Sequence, residues 1–264
     1  MTRRRWIADE FSGDRAVLTG AHAAHLSRTL RARVGQHFDI ACGDQLRRGV
    51  VASVSDERVE FALGEEVTAR EVVPITLLLA VFKFDRMEWA LEKCTELNVT
   101  TIVPVIARRT EKHLALAADK RVERWRRIAR EAAEQSRRIA PPEIAAPVKL
   151  QEALANFHDS AVIPSEGFSP SSGTRVHPVC DLRIVLAETG PEATLSEVLR
   201  ARDNVTSLAL AVGPEGGWTT DELRLFELSQ WLAASLGDTI LRAETAAIAA
   251  VAVARSELES ATSV

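Results

Sequence analysis

The sequence predicts an α/β protein: a sheet domain with a small-molecule pocket beside arginine clusters, preceded by a small, mostly β domain. Three observations lead there. The apolar run 208–212 stops at Gly213-Pro214-Glu215-Gly216-Gly217, and Thr219, Thr220, Asp221 and Glu222 then read as a helix start. A buried strand feeding a glycine-rich turn and a helix is where α/β proteins usually place a ligand. The stretch Leu236-Gly237-Asp238-Thr239-Ile240-Leu241-Arg242-Ala243-Glu244-Thr245-Ala246 repeats the arrangement soon afterwards, which suggests one pocket built from adjacent strand ends. Finally, residues 75–81 are almost unbroken apolar, as in a strand covered on both faces.

Residues 1–72 form the expected β domain. Residues 15–18 read as a strand, and 22–30 as a short helical stretch with Leu26 and Leu30 four apart. A turn at Gly35 leads to a strand ending near Ala41, and Cys42-Gly43-Asp44 turns again before strands at 49–54 and 58–62. Strands this short and close together suit a barrel. His22 and His25 lack a third ligand nearby, and no metal is expected.

The composition changes at Pro74, and residues 73–264 form the expected second domain. Asp85 reads as an N-cap with Glu88 three residues on. The helix shows Met87, Leu91, Cys94 and Leu97 on one face and stops near Asn98. The next strand, 101–105, contains Pro104, which fits only where the ladder breaks. Arg108, Arg109, Lys112 and His113 follow its end. A long helix is expected over 119–137, stopped by Pro141-Pro142, with Arg121, Arg124, Arg127 and Arg130 outside its apolar stripe. Further strands are expected at 160–164, 181–187 and 231–236, a Gly/Ser/Pro-rich loop at 167–176, and a last helix over 245–258.

The 264 residues are 46% hydrophobic, enough for two domains, with a formal net charge of −4. The charge is unevenly spread. Residues 1–50 carry a surplus of four positive charges and residues 108–138 a surplus of six, on an otherwise acidic body. Three isolated cysteines point to a reducing cytoplasm rather than a disulfide framework or a zinc site. No run reaches membrane-spanning length, and no secretory leader is legible. The glycine turn lacks the Lys-Ser/Thr of a P-loop and the spacing of a dinucleotide fingerprint, and no Gly-x-Ser-x-Gly elbow occurs. The residues alone fit an enzyme acting on nucleic acid, and also a metabolite-binding protein.

Several stretches then carry a resemblance. They are Asp85-Arg86-Met87-Glu88-Trp89 with Lys93-Cys94-Thr95-Glu96-Leu97, and Arg130-Glu131-Ala132-Ala133-Glu134-Gln135-Ser136-Arg137. Val212-Gly213-Pro214-Glu215-Gly216-Gly217 and residues 236–246 continue it, and His25-Leu26-Ser27-Arg28-Thr29-Leu30-Arg31 extends it to the N-terminal domain. In order and spacing the chain resembles the SPOUT class of RNA methyltransferases, within it the family that methylates N3 of a uridine in 16S ribosomal RNA. It departs at Lys83-Phe84, where family members carry Lys-Gly.

The resemblance implies a parallel-sheet domain with a C-terminal trefoil knot, an N-terminal PUA-like RNA-recognition barrel, a cytoplasmic homodimer and S-adenosylmethionine as cofactor. It places Leu186, Ala187 and Glu188 at the cofactor's border and Val212, Gly213, Pro214, Glu215 and Gly216 as its central wall. Leu236, Gly237, Ile240, Leu241 and Arg242 are implied on the adenine side. Arg109, Arg137 and Arg242 are candidates for steadying the uridine anion or phosphates, and Glu134 or Glu215 for accepting the N3 proton. His25, Arg28, Arg31, Arg33, Lys83, Arg86 and Arg108 are the implied RNA contacts, the substrate being 16S rRNA within the assembled 30S subunit. Glu244 is an alternative N-cap. Ribose 2′-O-methylation, a non-catalytic RNA-binding or assembly role, and metabolite binding without RNA remain the alternatives.

Overall fold

A computed structural model describes residues 5–43, 45–67, 72–136, 138–158, 180–188 and 193–261. The expected strand at 160–164, the loop at 167–176, the turn residues 189–191 and Arg137 lie outside these. The chain forms two compact units, one of residues 1–71 with 130–141, the other of 72–129 with 142–264. No helix among the described residues is long and apolar enough to cross a membrane.

The first unit contains β1 (Arg5–Ile7), β2 (Glu10–Ser12), β3 (Arg15–Thr19), α1 (Gly20–Ala24), a π-helical turn (His25–Thr29), β4 (His37–Cys42), β5 (Gln45–Val54) and β6 (Arg58–Glu66). Its sheet runs β1-β4-β5-β6-β3-β2, antiparallel except for β1 beside β4. The two edge strands do not pair with each other among the described residues, so the expected β domain is a curled half-barrel. Leu18, Leu26, Ile40, Val51, Val59 and Phe61 fill it. The end of the long basic helix belongs to this unit, where Glu134 Oε2 lies 3.3 Å from His22 Nε2. The other ring nitrogen of His22 lies 3.1 Å from Asp9 Oδ1.

The second unit is built on a parallel sheet. Its elements are β7 (Ile75–Ala80), α2 (Phe84–Glu96), β8 (Thr101–Ile106), α3 (Lys112–Ala117) and, after a 3-10 turn (Asp119–Arg121), α4 (Val122–Gln135). Then come β9 (Glu143–Ile144), β10 (Val148–Lys149), α5 (Leu150–His158), β11 (Leu182–Leu186), α6 (Leu195–Arg200) and β12 (Leu208–Val212). It ends with α7 (Thr220–Leu228), β13 (Leu232–Ala234) and α8 (Ala243–Ala261). The strand order is β10-β8-β7-β12-β11-β13, with β9 also on β8.

Strand alternation divides the core. Leu208, Leu210 and Val212 of β12 share one cluster with Leu77, Leu79, Met87, Leu91 and the alanines of α8. Ala209 and Ala211 face the other cluster, where their small side chains leave room for Phe157, Trp218, Phe226 and Trp231. Pro104 sits at the expected break. β9 pairs at Thr101 and Ile102 and β10 at Val105 and Ile106, so among the described residues that edge has no pairing at Val103 or Pro104.

Two local expectations need correction. Asp85 lies inside the first turn of α2, whose N-cap is Lys83 without a side-chain bond. Glu88 is drawn away from the helix start by Arg124, whose Nε and Nη2 donate to its two oxygens at 2.7 and 2.8 Å. Nor is Glu244 an N-cap, because it lies in the first turn of α8, buried, with Oε1 3.7 Å from Arg86 Nε. Phe84, where relatives are expected to carry glycine, turns into the core. Its ring centroid lies 6.0 Å from that of Trp125, under the Arg121 guanidinium at 4.7 Å.

Candidate active site

β11, β12 and β13 are neighbours in the sheet, and their ends open into one hollow. The first wall is Leu186, Ala187 and Glu188. The second runs from Val212 through Gly213, Pro214, Glu215, Gly216 and Gly217 to Trp218, and the third is formed by Ser235 to Leu241 with Ala243 and Ala246. Every residue expected at the cofactor site lines this hollow except Arg242. That residue is exposed, and its carbonyl accepts the Ala246 N–H at the start of α8.

The two glycine turns form for local reasons. Gly217 and Gly237 have φ of +68° and +112°, values that side chains rarely adopt. After Gly217 the chain enters α7 through a reciprocal capping box. The Thr219 hydroxyl accepts the Glu222 N–H, and Glu222 Oε2 accepts from the Thr219 N–H and hydroxyl at 2.8 and 2.9 Å. Peptide groups therefore make up much of the lining, flanked by apolar side chains and the carboxylates of Glu188 and Glu215.

Among the described residues, Arg109 is the only strong cation on the lining. It comes from the turn 107–110 after β8, closed by the Thr110 N–H donating to the Ala107 carbonyl at 3.1 Å. Its guanidinium donates to the carbonyls of Gly216 and Trp218. Gly216 permits this crossing, since a Cβ there would lie 3.1 Å from Arg109 Cδ.

The other expected residues are dispersed. Glu134 does not line the hollow and is engaged by His22, so of the two carboxylates considered only Glu215 is on the wall. Arg86 is held by Glu244, while Arg108 and Lys83 are exposed. In the first unit, Arg28 is exposed but paired with Asp56 at 2.9 Å. Arg31, Arg33 and His25 are exposed, with the His25 ring 5.8 Å from Trp6. Sequence reasoning missed several lining residues, among them Trp218, Asp238 and Thr239, and also Glu222 just before the lining Leu223. The spacing Thr219-x-x-Glu222 was the available signal for Glu222. Among the described residues no group of three or more His, Cys, Asp or Glu side chains is placed to hold a metal.

A parallel-sheet unit with its pocket at the glycine-turned ends of neighbouring strands is the architecture of an α/β ligand-binding domain. The family model described as an RNA methyltransferase domain matches residues 69–255. The chain is 30% identical over 245 residues to ribosomal RNA small subunit methyltransferase E of Synechocystis, covering 92% of this chain and 74% of that one. It is also 30% identical over 246 residues to the protein of the same name from Mycobacterium bovis, covering 91% and 86%. Among solved structures it is similar to a ribosomal RNA small subunit methyltransferase E from Neisseria gonorrhoeae bound to S-adenosyl methionine. That match has a TM-score of 0.71 and 27% identity, and covers 97% of this chain and 98% of that one. The chain belongs to the ribosomal RNA small subunit methyltransferase E family, of the SPOUT class.

Proposed function

We propose that this protein transfers the methyl group of S-adenosylmethionine to N3 of a uridine in 16S ribosomal RNA. The observation that carries the reading is the convergence of three neighbouring strand ends, from separate parts of the sequence, on one hollow. Its chemistry suits the cofactor. Peptide N–H and C=O groups match the edge of an adenine, and Leu186, Val212, Leu236, Ile240 and Leu241 offer apolar cover. Glu188 and Glu215 suit ribose hydroxyls and the sulfonium's positive charge. When bound, S-adenosylmethionine supplies an electrophilic methyl group.

The chain's own residues then act on the acceptor. N3 lies on the pairing edge of uracil, so the base must enter unpaired. Arg109, fixed on the lip by two backbone carbonyls, faces the anion that develops as the N3 proton leaves. Glu215, on the same wall, is the proton acceptor in this reading, and Glu134 positions structure through His22 instead. Exposed Arg31, Arg33, Lys83 and Arg108 contact RNA phosphates, with affinity falling steeply as salt rises. The full assembly is a cytoplasmic homodimer acting on the 30S particle, with the pocket loops threaded as a trefoil knot.

The test incubates the protein with labelled S-adenosylmethionine and unmodified 30S particles, followed by mass spectrometry of the nucleosides. The expected product is 3-methyluridine. Methylated ribose would replace the base reading with 2′-O transfer. Absence of both transfer and cofactor binding would overturn the enzyme reading.

A further inference from the structure

Glu222 has no place in the expected chemistry, yet it is a carboxylate only 3% exposed, one residue before Leu223 of the pocket lining. Its Oε2 closes the capping box with Thr219, while Oε1 accepts the backbone N–H of Arg108 at 2.7 Å across 114 residues of sequence. Arg108 and Arg109 are the central residues of the turn 107–110. In such a turn the N–H of the first central residue has no partner inside the turn. Thr110 pins the opposite flank, its hydroxyl donating to the Val81 carbonyl at 3.0 Å and accepting the Ala107 N–H at 3.1 Å. Glu222 therefore holds the one flank that would otherwise pivot.

The contacts are reciprocal. The arginine turn sends the Arg109 side chain to the backbone of the glycine turn, and the helix after the glycine turn sends the Glu222 side chain to the backbone of the arginine turn. Two such clasps between the same two loops remove their freedom to rotate about either one.

We propose that Glu222 is a positioning residue for methyl transfer: by gripping the Arg108 N–H it sets the orientation in which Arg109 meets the acceptor base. This rests on the reading of Arg109 under the proposed function. Glutamine must present its NH2 either to the Arg108 N–H or to the Thr219 pair, so it breaks one of the two contacts, whereas Arg108→Pro removes the Arg108 N–H outright.

The experiment compares Glu222→Gln, Thr219→Val, Arg109→Ala and the double variant Arg109→Ala/Glu222→Gln. Melting temperature, S-adenosylmethionine affinity by calorimetry, and kcat on 30S particles are measured for each. Glu222→Gln is expected to lower kcat by about tenfold or more with cofactor affinity held within about threefold, the signature of a lost transition-state contact. Thr219→Val weakens the same capping box but keeps the Arg108 clasp, and is expected to keep near wild-type kcat at a similarly lowered melting temperature. In the Arg109→Ala background, Glu222→Gln is expected to have no further effect on kcat. Equal kcat losses in Glu222→Gln and Thr219→Val, or full additivity with Arg109→Ala, would overturn the inference while leaving the enzyme reading intact. A wild type that neither binds the cofactor nor transfers methyl would overturn both. If Glu222→Gln does not fold, Arg108→Pro takes its place, deleting the same N–H with the capping box whole, and is read against Arg108→Ala, which removes the same side chain but keeps the N–H.

Discussion

Replacing Gly213 with alanine asks whether the pocket wall has any spare room. Gly213 is not in the left-handed region, so alanine is tolerated by the backbone and the added methyl alone is tested. An ideal Cβ would lie 3.3 Å from both Cε2 and Nε1 of Trp218 and 3.4 Å from the Gly217 carbonyl carbon. Ordinary carbon contacts sit at about 3.5–4.0 Å, so something must move by a few tenths of an ångström. Trp218 is badly placed to move. It is 7% exposed and packed edge-on against Phe226 at 5.0 Å, which meets Trp231 at 5.3 Å, which in turn meets Phe157 at 5.4 Å. The displacement therefore falls on the turn 213–217, the central wall of the hollow. Overpacking of this kind costs about 1–3 kcal/mol. If half of that appears in the ligand-bound geometry, S-adenosylmethionine binding weakens by about two- to twelvefold, each ~1.4 kcal/mol being one decade. Gly216→Ala is the matched comparison, since the three atoms nearest its methyl all belong to the Arg109 side chain, the first at 3.1 Å. It is expected to keep cofactor affinity within about threefold while slowing transfer. Calorimetric titration of both variants decides the matter. Unchanged affinity in Gly213→Ala, with an unchanged melting temperature, would refute the claim that this wall is close-packed against the aromatic chain.

Further expectations concern the scaffold. Arg255 of α8 is 8% exposed and donates to the carbonyls of Val73, Leu97 and Asn98, tying α8 to the start of β7 and the end of α2; burial lowers its pKa to about 10. Arg255→Met strips three carbonyls of a charged donor and is expected to cost about 3 kcal/mol in urea unfolding, and a loss under about 1 kcal/mol would contradict the assignment. Burial pushes the Asp181 carboxyl up, but hydrogen bonds from Thr206 and Ser207 outweigh it and leave the group below the ordinary aspartate range. A depressed carboxylate stabilises the fold above its unfolded value of about 3.9, and that contribution fades as pH falls through the lower folded value. Asp181→Asn should accordingly lower the melting temperature at neutral pH, with the gap to wild type closing only below about pH 4; a gap independent of pH down to acid unfolding would count against this. Cys42, Cys94 and Cys180 are buried free thiols, and desolvation pushes Cys94 up to about 12. Native protein at neutral pH is expected to resist alkylation at Cys94, as read by intact mass, with labelling only on unfolding.

Much of the second unit was legible because its signals are local. The alternation of leucine and alanine in 208–212, the almost unbroken apolar strand 75–80, and the glycines at 213, 216, 217 and 237 dictate strand, turn and hollow without reference to distant residues. The warning from Pro104 was equally local, and the structure answered it by splitting the facing edge into β9 and β10. Family resemblance ordered these pieces into an expectation of a cofactor pocket. Partners of charged side chains were another matter. Glu88 fitted a capping box by spacing but went to Arg124, and Glu134 fitted a proton acceptor but went to His22.

By itself, then, the sequence determined where the chain bends, which faces are apolar, and that glycine turns would meet at adjoining strand ends. Those properties follow from backbone freedom and side-chain periodicity over a few residues. Only the tertiary structure decided that Arg109 crosses Gly216, that Arg86 serves Glu244, and that Glu222 holds the Arg108 N–H. A long charged side chain can reach any of several partners at similar cost, and the winner is whichever donor or acceptor the packed backbone leaves unsatisfied within about 3 Å.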